Sequence, residues 1–160
     1  MKQSFGYDYI RDPAEIYRQS FATVDREANL SSIPENMRPI ATRLIHSCGM
    51  INIIEDLSFS ENAVDSGMQS LLAGKSIFTD VEMVKSGIIE KFLPSNNPLI
   101  CTLNEECVPD HSAKIENTRS AAAVDLWDDL EGSVVVIGNA PTALFRLLER
   151  IQEGAAKPEI

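Results

Sequence analysis

Basic side chains are scarce in this chain: 14 lysines and arginines stand against 24 acidic residues, a net charge of −10 over 160 residues. That deficit excludes broad nucleic-acid binding through phosphate neutralisation. Cysteine is scarce too. Cys48, Cys101 and Cys107 are odd in number and lack C-x-x-C spacing, so neither a disulfide framework nor a zinc site is indicated and they read as reduced thiols. No apolar run approaches the length of a membrane span, and the opening MKQSFGYDYIRDP holds no segment resembling a signal peptide. The expectation is a cytoplasmic protein without membrane contact. Phosphate-loop signatures are missing as well: GNAP at 138–141 is not G-x-G-x-x-G and no P-loop lysine follows, which leaves a nucleotide poorly supported. Histidine occurs twice, at His46 and His111.

What is present is the composition of an ordinary globular domain, 44% apolar and 24% charged, long enough for a real core. The expected organisation is a single domain over residues 1–160 with no linker or repeat. Asp12-Pro13 is a cap followed by proline at a first helical position, and Ile16, Tyr17, Ser20, Phe21 and Val24 then share one face through residue 28. A second helix runs from Pro34 or Pro39 to Cys48, and a third over 60–73 with Ser60 as cap and Gly74 as stop. Short apolar runs follow, SIFTD, PLICTL and SVVVIG, separated by helical stretches near 81–90, 106–115, 118–128 and 141–153. Strands alternating with helices predict an α/β fold, three-layered, with a mainly parallel sheet and helices on both faces. The final AAKPEI reads as the approach to another strand, which points to truncation of a longer domain, with a free tail as the alternative.

Three places could carry chemistry. In RLIHSCGM, residues 43–50, helical spacing gathers Met37, Ile40, Ala41, Leu44, Ile45 and Cys48 into a stripe expected to face the core. His46 lies opposite, near Thr42, Gly49 and Met50, and Cys48 is too far around the helix to pair with it. Cys48 then reads as a small buried residue. His46 reads as exposed unless a ligand or a second subunit covers that face, where Gly49 permits close approach. In NTRSAAAVDLW, Asn117 or Thr118 can cap a helix whose first turn holds Arg119 and Ser120, a plausible carboxylate or phosphate site; the plainer reading is a capped helix with a surface arginine. In SVVVIGNAPTALFRLL, a buried strand, a turn at Gly138-Asn139 and a helix begun by Pro141 put Asn139 and Thr142 beyond the carboxyl end of a strand, where ligands bind in open α/β sheets.

YDYIRDPAEIYRQSF (7–21), RLIHSCGM (43–50), PLICTLNE (98–105), NTRSAAAVDLW (117–127) and SVVVIGNAPTALFRLLE (133–149) together resemble, in collinear order, the precorrin-8X methylmutases, or precorrin isomerases, of cobalamin biosynthesis. The resemblance implies an α/β homodimer with sites near its subunit interface. It implies an isomerase that moves a methyl group from C-11 to C-12 of a corrinoid tetrapyrrole, giving hydrogenobyrinic acid, or cobyrinic acid from the cobalt-containing substrate, with no cofactor and no resident metal. His46 matches the family's histidine, implying acid catalysis at or near a ring nitrogen. Arg119 and Ser120 would hold peripheral carboxylates, Arg11 and Ser20 match N-terminal ligand contacts, and Asn139 and Thr142 sit in a family motif. His111 matches nothing in the family and reads as a surface residue. Family members continue past the position of Ile160 with a further strand and a glycine-rich region. Two other readings stay open: a corrinoid carrier without catalysis, whose binding ignores His46, and a nucleotide-binding domain, which would take ATP or NAD and no corrinoid.

Overall fold

A computed structural model describes residues 6–160; the leader reading, so far as it concerns residues 1–5, lies outside the described residues. The chain packs as two compact units, one reaching to Ser60 and one from Glu61 to Ile160. Among the described residues no helix is long and apolar enough to cross a membrane.

The first unit is a helix pair. α1 (Pro13–Glu27) begins as the sequence predicts, with the Asp12 carboxylate accepting from the Ala14 N–H at 3.0 Å. α2 (Arg38–Cys48) follows a 3₁₀ turn at Leu30–Ser32 and ends on Gly49 at φ +71°, a left-handed conformation glycine adopts without strain. A second 3₁₀ segment spans Ile51–Asp56. Val24, Ala28 and Ile45 form the buried core, with Leu30, Ile53 and Ile54 half-buried against it.

The expected stripe on α2 is turned by about one position. Ala41, Thr42 and Ile45 are buried, whereas Ile40, Leu44 and Cys48 are exposed. The Cys48 expectation therefore fails. α2 meets α1 through Ile45 and His46, and residues 40, 44 and 48 stay exposed, so periodicity gave the apolar residues but not which of them find a partner.

The second unit is α/β. α3 (Ala63–Leu72) starts later than expected, behind Asn62 rather than Ser60, and Gly74 at φ +72° stops it. β1 (Ile77–Thr79), α4 (Glu82–Gly87), β2 (Leu99–Ile100), α5 (Val108–Lys114), α6 (Arg119–Val124), β3 (Val134–Val136) and α7 (Pro141–Gln152) complete the order. The three strands form a parallel sheet in the order β2-β1-β3, with Ile77 opposite Leu99 and Val134 and Phe78 opposite Ile100 and Val135. Successive strand residues face opposite sides. All three residues of β1 are buried, so the central strand is covered above and below, as the α/β reading expects of a parallel sheet. Along the outer edge of β3, the Val135 N–H donates to Ile160 O at 2.8 Å and the Glu159 N–H to Ser133 O at 2.9 Å, so the terminal residues do approach the sheet.

Phe78, Val124, Trp127, Leu130, Ala140, Ala143 and Leu147 make the main core. Trp127 lies 5.5 Å from Phe78, ring to ring, and donates its Nε1–H to Thr102 Oγ1 at 3.1 Å, which satisfies the one polar atom of a side chain that is 1% exposed. α6 is shorter than the expected 118–128. After Val124 the backbone tightens to i→i−3 bonds at Asp125, Leu126 and Trp127. The Asp125 side chain there accepts from Arg146 Nε at 2.6 Å and from His111 Nε2 at 2.7 Å. Hydrogen bonding to Asp125 pushes the Arg146 guanidinium pKa further up, against the opposing effect of burial. His111 is thus half-buried in an ion cluster and not the free surface residue of the sequence reading.

Candidate functional site

His46 occupies the last turn of α2 and is half-buried. Its Nδ1 lies 2.7 Å from Ser20 Oγ. The Tyr17 ring stands 5.1 Å away at a 39° tilt, and Phe21 meets the imidazole edge-on at 5.4 Å. Tyr17, Ser20 and Phe21 lie on adjoining faces of one helix, so α1 alone supplies the hydrogen bond and both aromatic walls. The imidazole is fixed by three contacts, and its Nε2 is not held by Ser20. A cavity of about 310 Å³ opens beside it, lined by His46, Ser20, Gln19, Thr23, Ile45 and Gly49 among others. The structure therefore corrects the exposed reading of His46 and brings it together with Ser20. Arg11 is exposed on the chain leading into α1, its guanidinium 4.6 Å from the Tyr9 ring centre.

A second cluster forms in the unit from Glu61 to Ile160. Thr118 caps α6 by accepting from the Ala121 N–H at 3.1 Å, as its sequence position predicts. The same hydroxyl lies 2.8 Å from Thr142 Oγ1 in the first turn of α7. The segments NTRS and NAPT, separate in sequence, thus meet through two threonines. Arg119 is exposed and reaches the Leu103 carbonyl at 3.2 Å and Asn104 Oδ1 at 3.3 Å. Both are neutral acceptors, so its charge is uncompensated by a carboxylate within 4.0 Å among the described residues. Ser120 is half-buried beside it, and Asn139 is exposed on the turn that precedes α7. Pro141, Asn139 and Leu144 help line a cavity of about 270 Å³.

Asp80 was missed. It follows β1 directly, is 1% exposed, and accepts from the N–H groups of Gly138 (3.3 Å), Asn139 (2.9 Å) and Ala140 (2.7 Å). The available signal was an acid closing the apolar run SIFTD, at the carboxyl end of a strand. Gly138 is required for a different reason: a Cβ there would lie 2.8 Å from Val84 Cγ2. Among the described residues, no group of three His, Cys, Asp or Glu side chains could hold a metal ion. Cys101 is half-buried, and burial pushes its thiol pKa up, away from nucleophilic use.

Comparison with known proteins gives a consistent result. The family model for precorrin-8X methylmutase matches residues 15–160. The precorrin-8X methylmutase of Pseudomonas aeruginosa is 53% identical over 154 residues, covering 96% of this chain and 74% of the relative. The cobalt-precorrin-8 methylmutase of Methanothermobacter thermautotrophicus is 32% identical over 151 residues, covering 93% and 67%. Among solved structures, the precorrin-8X methylmutase of Thermus thermophilus superposes with a TM-score of 0.79 at 31% identity, covering 91% of this chain and 71% of that one. With the α/β sheet, the ordered histidine and a family match running through both units, the chain belongs to the precorrin-8X methylmutase family, isomerases of cobalamin biosynthesis.

Proposed function

We propose that the protein isomerises precorrin-8X to hydrogenobyrinic acid and that His46 is the acid of this reaction. The observation that carries the reading is the 2.7 Å contact of His46 Nδ1 with Ser20 Oγ at the wall of a cavity. A hydroxyl donating to Nδ1 leaves the imidazole proton on Nε2, the nitrogen that can donate to a ligand. In the reaction the bond from the methyl carbon to C-11 breaks as the bond to C-12 forms within one molecule. No atom is gained or lost and no electron acceptor is required. A proton or hydrogen bond from Nε2 to a ring nitrogen, or close to it, would lower the barrier to migration, and general acid catalysis of this kind contributes roughly 10²–10⁴-fold. Holding the macrocycle in a reactive conformation supplies much of the rest.

Arg119, whose guanidinium has no carboxylate partner among the described residues, and Ser120 are assigned to peripheral carboxylates of the substrate, with Arg11, Asn139 and Thr142 as further contacts. An acidic protein can bind a polyanion through such groups. Relatives at 53% and 48% identity are precorrin-8X methylmutases, which supports the cobalt-free substrate, whereas at 27–32% cobalt-precorrin-8 methylmutases stand beside the precorrin-8X methylmutase of Thermus thermophilus. The two units are read as one domain, because the family match crosses from one into the other. A cytoplasmic homodimer is assigned as well, supported by the exposed Tyr17, Ile40 and Leu44; light scattering at micromolar concentration tests it.

The function is tested by titrating the protein with hydrogenobyrinic acid, followed by absorbance, and by turnover of precorrin-8X. Arg119→Ala should weaken product binding, and His46→Ala should keep product binding while losing roughly 10²–10⁴-fold in turnover. Binding by wild type with turnover indifferent to His46 would leave a corrinoid carrier, and affinity for ATP or NAD without corrinoid binding would leave a nucleotide-binding domain.

A further inference from the structure

α7 begins without a cap of its own. Its N-cap residue is Ala140, which has no side-chain oxygen, and Pro141 follows. What is held instead is the turn before the helix: at the end of β1 the Asp80 carboxylate accepts from the amides of residues 138, 139 and 140. Serine or aspartate at position 140 would cap the helix locally. A carboxylate reaching across from the neighbouring strand does something more: it fixes where the turn lies relative to β1. Pro141 and Thr142 follow directly, and the Thr142 hydroxyl meets Thr118 at the head of the Arg119 helix.

Asp80 also changes what the turn can bind. Three successive amides at a helix start would ordinarily invite an anion. Here they face inward onto a buried carboxylate, so that capacity is already satisfied and a second negative charge would be repelled. The adjoining cavity, with Ile137, Asn139, Pro141 and Leu144 in its wall, is left as a largely apolar seat with no charged side chain in its lining.

We propose that Asp80 is a positioning residue of the corrinoid site: it fixes the Gly138–Ala140 turn and reserves the adjoining cavity for an uncharged edge of the macrocycle, while peripheral carboxylates go elsewhere. This rests on the corrinoid reading above. The full-length protein is compared with Asp80→Asn, with Asp80→Asn/Ala140→Ser, and with Ser70→Ala, which loses the distant Ser70–Gly132 hydrogen bond. Three readouts are used: amide hydrogen exchange, melting temperature and affinity for hydrogenobyrinic acid.

In wild type the amides of Asn139 and Ala140 should be protected, hydrogenobyrinic acid should shift the amide resonances of residues 138–140, and sodium acetate should not. Asp80→Asn should speed exchange over this turn and weaken corrinoid binding at least about tenfold, while Ser70→Ala leaves affinity unchanged. The added serine should restore melting temperature but not affinity. If affinity returns together with melting temperature, general stabilisation of the start of α7 is all that binding needs and the proposal falls. Unprotected amides in wild type, or resonances moved by acetate, overturn it without need of any variant. A wild type that binds no hydrogenobyrinic acid would instead sink the corrinoid reading and the ligand half of this proposal with it, while the exchange rates still decide whether Asp80 holds the turn.

Discussion

The unit holding His46 and the unit holding Arg119 differ in how large an apolar cluster each encloses. In the first, five apolar residues are buried, Val24, Ala28, Ile33, Ala41 and Ile45, of which Val24, Ala28 and Ile45 cluster, and Tyr17, Ile40 and Leu44 stay exposed. In the second, Phe78, Trp127, Leu130 and four more residues close a core around a fully buried strand, though Leu144 and Phe145 stay outside it. A buried strand and a tryptophan tied by its indole N–H fix one arrangement by packing. A two-helix pair cannot enclose its own apolar surface, and what orders His46 is accordingly local: one hydroxyl and two rings from a single helix. Rigidity of the candidate acid comes from its neighbours on α1 more than from depth of burial.

Four substitutions test that contrast. Trp127→Ala should cost the most, about 3–5 kcal/mol, measured as a shift in the urea midpoint by far-UV circular dichroism. Ile45→Ala should cost somewhat less, about 2–4 kcal/mol, because a thin core can partly collapse around the gap; a negligible cost would mean that this core does not hold α1 against α2. Ser20→Ala should leave the fold intact and reduce turnover on the order of ten- to a hundredfold by releasing the imidazole. If only product affinity falls, Ser20 is a ligand contact in its own right and orients nothing. Glu15→Gln should change melting temperature least. The Glu15 carboxyl is held down to about 2, first by hydrogen bonding to Arg18 and then to Gln19. A carboxyl with a lowered folded-state pKa contributes stability above the ordinary carboxylate range and loses it as pH falls towards 2. The pair is exposed to solvent, so the loss should be visible in a carboxyl NMR titration and hardly at all in the melt.

The sequence made the same contrast in what it disclosed. Around β1, β3 and α7, apolar runs, the Gly138-Asn139 turn and Pro141 led directly to the observed elements, because strands buried on both faces leave continuous runs and proline marks a helix start. Around α2 the pattern identified apolar residues but misjudged Cys48 and His46, since burial there depends on which row of the helix meets α1, a tertiary choice that periodicity does not encode. Asp80 escaped because its partners are backbone amides some sixty residues away, and amides carry no mark in a sequence. The meeting of Thr118 with Thr142 was hidden for a similar reason: each reads locally as an ordinary helix-start residue.

The order of the strands carries a consequence for how the protein is made. β1 lies in the middle of the sheet, but its neighbour β3 is supplied only after α4, β2, α5 and α6 have been synthesised. At roughly 5–20 residues per second a ribosome needs several seconds to pass from Ile77 to Val134, and through that interval the central strand keeps at least one open edge. Non-local parallel pairing is slow to form even once both strands exist. The nascent chain is therefore most vulnerable to aggregation midway through translation, and conditions that slow elongation between these strands should lower the soluble yield more than the same delay placed after α7.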